Sequence, residues 1–131
     1  MKILIVDDDF TSRIVLQEIL KAYGPTYIAV NGKEAVVAVR AAMSAGEPYS
    51  LICMDIMMPE MDGQQAIKQI RAAEEAEGII STEGAKIIMT TALGDLKNVF
   101  ASFKSLCDGY VVKPLDRTKL LDELRKLELI K

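Results

Sequence analysis

At 131 residues, half of them apolar and 27% charged, the chain is long enough for one globular domain with one core. A net charge of -3 with no basic run or stripe argues against nucleic acid as a partner, and no apolar run approaches the roughly 20 residues that span a bilayer. Histidine is absent, which removes histidine acid–base catalysis, most zinc chemistry and any role as a histidine phosphodonor. The opening Met1-Lys2 leads straight into a strand pattern, too short an apolar stretch for a secretory leader. Cys53 and Cys107 lie in apolar surroundings and read as buried free thiols of a reducing, cytoplasmic compartment.

Ile3-Leu4-Ile5-Val6 reads as a buried strand ending on Asp7-Asp8-Asp9. Thr11 and Ser12 are expected to cap a helix whose apolar face carries Ile14, Val15, Ile19, Leu20 and Tyr23, and Gly24-Pro25 stops it. Tyr27 to Val30 is the second strand. Asn31-Gly32 then turns into a helix with Ala35, Val36, Val39 and Met43 on one side, ending near Gly46 with Pro48 beyond. Leu51 to Asp55 is a continuous apolar run closed by a carboxylate, the pattern of a strand covered on both faces.

A third helix is predicted from about Gly63 to Glu77, with Ala66, Ile67, Ile70 and Ala73 inward, followed by a polar-leaning loop from Gly78 to Ala85. Lys86 to Thr90 forms the fourth strand and ends at Thr91. Asp95 to about Leu106 is a fourth helix. Tyr110 to Val112 is the fifth strand, ending on Lys113-Pro114, and Asp116 to Leu129 is the last helix, with Leu120, Leu124 and Leu127 inward. Five strands alternating with five helices over short links imply an α/β fold with a parallel, doubly wound sheet. Residues 1–131 are expected to form a single domain with no output domain attached.

In strand order 2-1-3-4-5, ligands bind at the carboxyl ends of the strands, beside the switch point between strands one and three. The first strand brings Asp7 and Asp8 to that edge, the third Asp55, the fourth Thr91 and the fifth Lys113. Three converging carboxylates repel one another, and a hard divalent cation such as Mg²⁺ relieves them. A hydroxyl and an ammonium beside a metal-bound carboxylate suit the oxygens of a phosphoryl group.

On these residues the chain resembles a response-regulator receiver domain of two-component signalling, of the single-domain, chemotaxis-like kind. The matching pieces are Ile5-Val6-Asp7-Asp8, Met54-Asp55-Ile56-Met57-Met58-Pro59 with Met61-Asp62-Gly63, Thr91-Ala92, and Gly109-Tyr110-Val111-Val112-Lys113-Pro114. The resemblance implies a flavodoxin-like sheet of order 2-1-3-4-5. It implies that Asp55 is the phosphoacceptor, and that Asp7, Asp8, Asp55 and the Met57 backbone carbonyl hold Mg²⁺, Asp8 more directly than Asp7. Thr91 and Lys113 would bind the phosphoryl group, Thr91 and Tyr110 would form the switch, and the Lys113–Pro114 bond would be cis. The implied partners are a sensor histidine kinase or histidine phosphotransfer protein, and a downstream protein docking on the face of the fourth helix, fifth strand and last helix. Such a protein is a phosphoacceptor that assists its own phosphorylation and dephosphorylation rather than an enzyme.

A phosphorelay intermediate or phosphate sink is an alternative within the same reading. A Mg²⁺-dependent phosphatase with an aspartyl-phosphate intermediate is a different class, but its usual second aspartate would fall at Met57. A flavin binder of this fold would need a Ser-, Thr- or Gly-rich phosphate loop where Asp7-Asp8-Asp9 stand. Asp9 reads as a cap or exposed acid, Asp62-Gly63 as turn and cap, Thr90 as a packing residue, and the methionines as gap-fillers. Leu106 and Leu115 depart from residues common in the family, a glycine and an aromatic.

Overall fold

Four consecutive aliphatic residues, Ile3–Val6, form β1, an interior strand of the sheet, each of them fully buried. The chain continues through α1 (Phe10–Leu20), β2 (Thr26–Ala29), α2 (Gly32–Ser44), β3 (Leu51–Asp55), α3 (Gly63–Ala76), β4 (Lys86–Thr91), β5 (Gly109–Val112) and α4 (Arg117–Lys126). This computed structural model describes residues 1–58, 60–80, 83–92, 94, 97 and 107–131. The helix expected from Asp95 to about Leu106, with its Leu106 departure, lies outside the described residues.

The strands make one parallel sheet, as the alternation predicts, in the order β2-β1-β3-β4-β5 that the resemblance implies. Period-two alternation splits the core in two. Leu4, Val6, Ile52, Met54, Ile87 and Met89 face α2 and α3. Ile3, Ile5, Leu51, Cys53, Ile88 and Val111 face α1 and α4. Both cysteines are buried and free.

Local chemistry corrects several boundaries. Asp9, not Thr11 or Ser12, caps α1: its carboxylate accepts the Ser12 N–H at 3.0 Å. The face turned to the core carries Leu16, Ile19 and Leu20, with Val15 and Tyr23 beside them, and leaves Ile14 exposed. The helix also ends at Leu20, ahead of Gly24-Pro25. β2 is shifted one residue earlier than predicted because Ala29 pairs with Val6, which leaves Val30 exposed. In α2, Ala42 rather than Met43 is fully buried. α4 stops at Lys126; Leu120, Leu121 and Leu124 are buried, and Leu127, just beyond the helix, packs partly on the same core. Asp62 caps α3 through a reciprocal box with Gln65, as turn and cap chemistry predicted.

The loop after α3 is tied down by charge. Glu74 accepts the Ala85 N–H at 2.8 Å, and Arg71 donates to Glu74 at 2.7 Å, to the Ala85 carbonyl at 2.8 Å and to Asp108 at 2.9 Å. Asp108 in turn accepts the Ile87 N–H at 2.8 Å. The starts of β4 and β5 are thereby locked to the far end of α3.

Candidate functional site

Parallel strands with common direction present all their carboxyl ends at one edge, and the predicted acids arrive there together. Asp7, Asp8 and Asp55 each offer a carboxylate oxygen, and these atoms lie within 4.8 Å of one another. Asp7 directly follows β1, and Asp55 closes β3 in the neighbouring position. Asp7 is fully buried and Asp55 is 6% exposed, whereas Asp8 opens to solvent.

Each buried acid is held. One oxygen of Asp7 accepts the Asp9 N–H at 2.9 Å, and the other lies 3.2 Å from the Lys113 ammonium. The Asp7 carbonyl accepts from Arg13 at 3.0 Å. Lys113 Nζ also stands 3.7 Å from Asp55. Both Asp7 oxygens are thus engaged, while Asp8 is free to reach outward. The Lys113–Pro114 bond is cis, as the resemblance implied.

Electrostatics record the crowding. Burial, then the neighbouring Asp7, push the Asp55 carboxyl up to about 7, against the pull of Lys113. Burial alone would pull the Lys113 ammonium down, but the Asp55 and Asp7 carboxylates outweigh it and leave it raised. One ammonium therefore does not neutralise this acidic hollow. A hard divalent cation fits the donor set: three carboxylates, oxygen only, one of them solvent-facing.

The other predicted residues stand beside this cluster. Thr91 ends β4, is buried, and donates its hydroxyl to the Ala92 carbonyl at 3.1 Å. Its own carbonyl accepts the Lys113 N–H. Alternation puts Thr91 on the α2/α3 face with Tyr110, which is half-buried and packs partly on that core. The Met57 side chain is exposed, and its backbone N–H is a minor influence that lowers the Asp55 carboxyl.

Two residues assigned from the sequence to turn and packing roles also bear on the site. Gly63 opens α3 directly under the Asp55 carbonyl; a Cβ there would collide with that oxygen and lie 3.0 Å from Ile56 Cα. The signal was available in the run of Asp62-Gly63 behind Asp55, which was read as turn chemistry only. Gly63→Ala is expected to cost about 1–3 kcal/mol, because backbone rather than a flexible side chain must yield. Urea denaturation measures this, and an unchanged midpoint would show that the approach is not tight. The second feature is Thr90, whose fully buried hydroxyl has no hydrogen-bond partner.

Comparison with known proteins agrees with this geometry. The family model for the response regulator receiver domain matches residues 3–125. The chain is 34% identical over 122 residues to the osmosensing histidine protein kinase SLN1 of Saccharomyces cerevisiae, covering 92% of this chain but spanning only 9% of that far longer protein. It is 32% identical over 130 residues to the chemotaxis protein CheY of Bacillus subtilis, covering 95% of each. Among solved structures, a CheX–CheY–BeF3–Mg²⁺ complex from Borrelia burgdorferi superposes with a TM-score of 0.81 at 27% identity, over 100% of this chain and 90% of that one. No helix among the described residues is long and apolar enough to cross a membrane. The sheet order, the acidic edge and a family match over nearly the whole length agree: the chain belongs to the response regulator receiver domains of two-component signalling.

Proposed function

We propose that this chain is a stand-alone, cytoplasmic response regulator that accepts a phosphoryl group on Asp55 from a phosphohistidine protein and signals through phosphorylation-dependent protein contacts. The observation that carries the reading is the meeting of Asp7, Asp8 and Asp55 with Lys113 at one strand edge. Two-way coverage of 95% with CheY supports the stand-alone form. The Borrelia complex, which contains Mg²⁺, BeF3 and CheX, supports a cation and a protein partner for a similar chain.

In this reading an Asp55 oxygen attacks the phosphorus, the donor's N–P bond breaks with its electron pair left on the imidazole nitrogen, and an Asp55 acyl phosphate forms. Asp55 is buried enough to be held still yet lies beside an open acid. Lys113 is charged and already within reach, so it can follow negative charge from carboxylate to phosphoryl oxygen. Asp7, Asp8, Asp55 and the Met57 carbonyl would hold Mg²⁺, which when bound supplies charge neutralisation for the incoming dianion. Thr91 has a hydroxyl on a weak local bond to Ala92, and exchanging that partner for a phosphoryl oxygen would draw the strand end inward. Tyr110, on the same face and half-buried, would then follow it, altering the surface of β5 and the last helix.

The test is labelling by a small phosphodonor. Incubated with acetyl phosphate and Mg²⁺, the protein is expected to gain the mass of one phosphoryl group, on the peptide carrying Asp55. Chelator should reduce that labelling by at least about a hundredfold, the scale of losing a charge-stabilising group from the transition state. Undiminished labelling in chelator would remove the cation from the mechanism.

A further inference from the structure

Alternation along the strands assigns Thr90 to the site rather than to packing. Ile3 and Ile5 on β1, Leu51 and Cys53 on β3, Ile88 on β4 and Val111 on β5 all face the α1/α4 side. Continuing by twos, Asp7, Asp55, Thr90 and Lys113 share that side at the carboxyl edge. Thr90 is the register partner of Asp55 on one flank and of Val111 on the other.

Lys113 follows β5, yet its ammonium reaches 3.7 Å from Asp55 on β3 and 3.2 Å from Asp7 after β1. The strand between β5 and β3 is β4. The Lys113 side chain therefore crosses β4, and the last residue of β4 on that face is Thr90. Its hydroxyl is wholly buried and unpartnered, while the other buried side-chain polar atoms among the described residues are matched. A valine would fill the same space without that cost. An ammonium has three N–H donors, and its two acid neighbours leave one over.

We propose that Thr90 is a positioning residue for phosphoryl transfer, its hydroxyl accepting an N–H of Lys113 when the ammonium moves from Asp7 towards an incoming phosphoryl group. The idle hydroxyl of the resting domain is the landing place that keeps the lysine over Asp55 during the reaction. This rests on Asp55 being the acceptor. With acetyl phosphate the acetate oxygen–phosphorus bond breaks, an Asp55 oxygen–phosphorus bond forms, and acetate leaves with the electron pair; Thr90 exchanges no atom.

The experiment compares Thr90→Val, which replaces the hydroxyl by a methyl of the same shape, with Thr90→Ser, which keeps it. Thr90→Val is expected to melt a few degrees higher in metal-free buffer and to be labelled about fivefold more slowly, the effect of one lost hydrogen bond in the transition state. Thr90→Ser should label within about twofold of wild type, and in a Lys113→Gln background Thr90→Val should slow labelling no further. Wild-type rates in Thr90→Val overturn the proposal while leaving Asp55 as acceptor. So does Thr90→Ser as slow as valine, or an undiminished valine effect without Lys113. A wild-type protein that takes no label at Asp55 overturns both readings.

Discussion

Asp55→Asn is expected to abolish labelling by acetyl phosphate and at the same time to stabilise the metal-free domain at neutral and alkaline pH. The two results have one cause. Asparagine offers no anionic oxygen to attack phosphorus, and it removes a charge that the folded site accommodates poorly. In the folded domain, burial and Asp7 raise the Asp55 carboxyl from 3.8 to about 7. The folded state thus binds the proton more tightly than the unfolded chain. Between those two values the unfolded state holds fewer protons, so this group's contribution to stability falls as pH rises and levels off above the folded value. Replacing it should gain about 1–3 kcal/mol above pH ~7.5, after allowing for solvent screening, and almost nothing below pH ~4. Thermal melts of both proteins across that range, in chelator, read the difference directly. Added Mg²⁺ is expected to raise the wild-type melting temperature and to do less for Asp55→Asn, since one of the proposed ligands has lost its charge. Persistent acyl phosphate in the variant would move the acceptor elsewhere. A variant no more stable at high pH would mean that the acidic hollow is not under repulsion.

The site's acids were legible because a strand that stops on a carboxylate announces itself. Ile3–Val6 before Asp7, and Leu51–Met54 before Asp55, are apolar runs with one abrupt change, and parallel topology turns such ends into neighbours. The parallel sheet followed from the alternation of strands and helices, and its order from the family resemblance. Where one side chain decides a boundary, the pattern was less informative. Asp9 competes with Thr11 and Ser12 for the start of α1, and only the backbone geometry picks the cap. Ile14 and Leu16 both satisfy a helical stripe, and only packing against the sheet decides that Leu16 is the buried one. Thr90 was read as packing because a buried threonine and a buried valine look alike in a hydrophobic run. Its unmatched hydroxyl exists only once neighbours are in place. The least legible feature was ionic: nothing in Arg71, Glu74 or Asp108 singles them out among charged helix and loop residues.

That ionic clamp carries the second large effect. Arg71→Met is expected to destabilise the domain by about 3–5 kcal/mol, the scale of breaking a buried pair and leaving its partners uncompensated. The Arg71 and Glu74 side chains are 7% and 4% exposed, so Glu74 cannot turn to water without opening the structure, whereas Asp108, at 21%, is partly solvated already. Removing the guanidinium strands Glu74, the Ala85 carbonyl and one side of Asp108 together. Glu74→Gln should cost less, because the amide still accepts from Arg71 or from the Ala85 N–H. The clamp sits at the amino ends of β4 and β5, opposite the acidic edge, yet it bears on function through a four-residue strand. β5 is fixed at one end by Asp108, whose N–H also bonds the Ile87 carbonyl at 2.8 Å, and at the other by Lys113 among the acids. Loosening the first anchor lets Tyr110 and Lys113 shift relative to Asp55. Labelling of Arg71→Met, measured well below its melting temperature, is therefore expected to fall severalfold even while the protein remains folded. Full labelling together with the stability loss would show that Lys113 is positioned by its own acidic contacts alone.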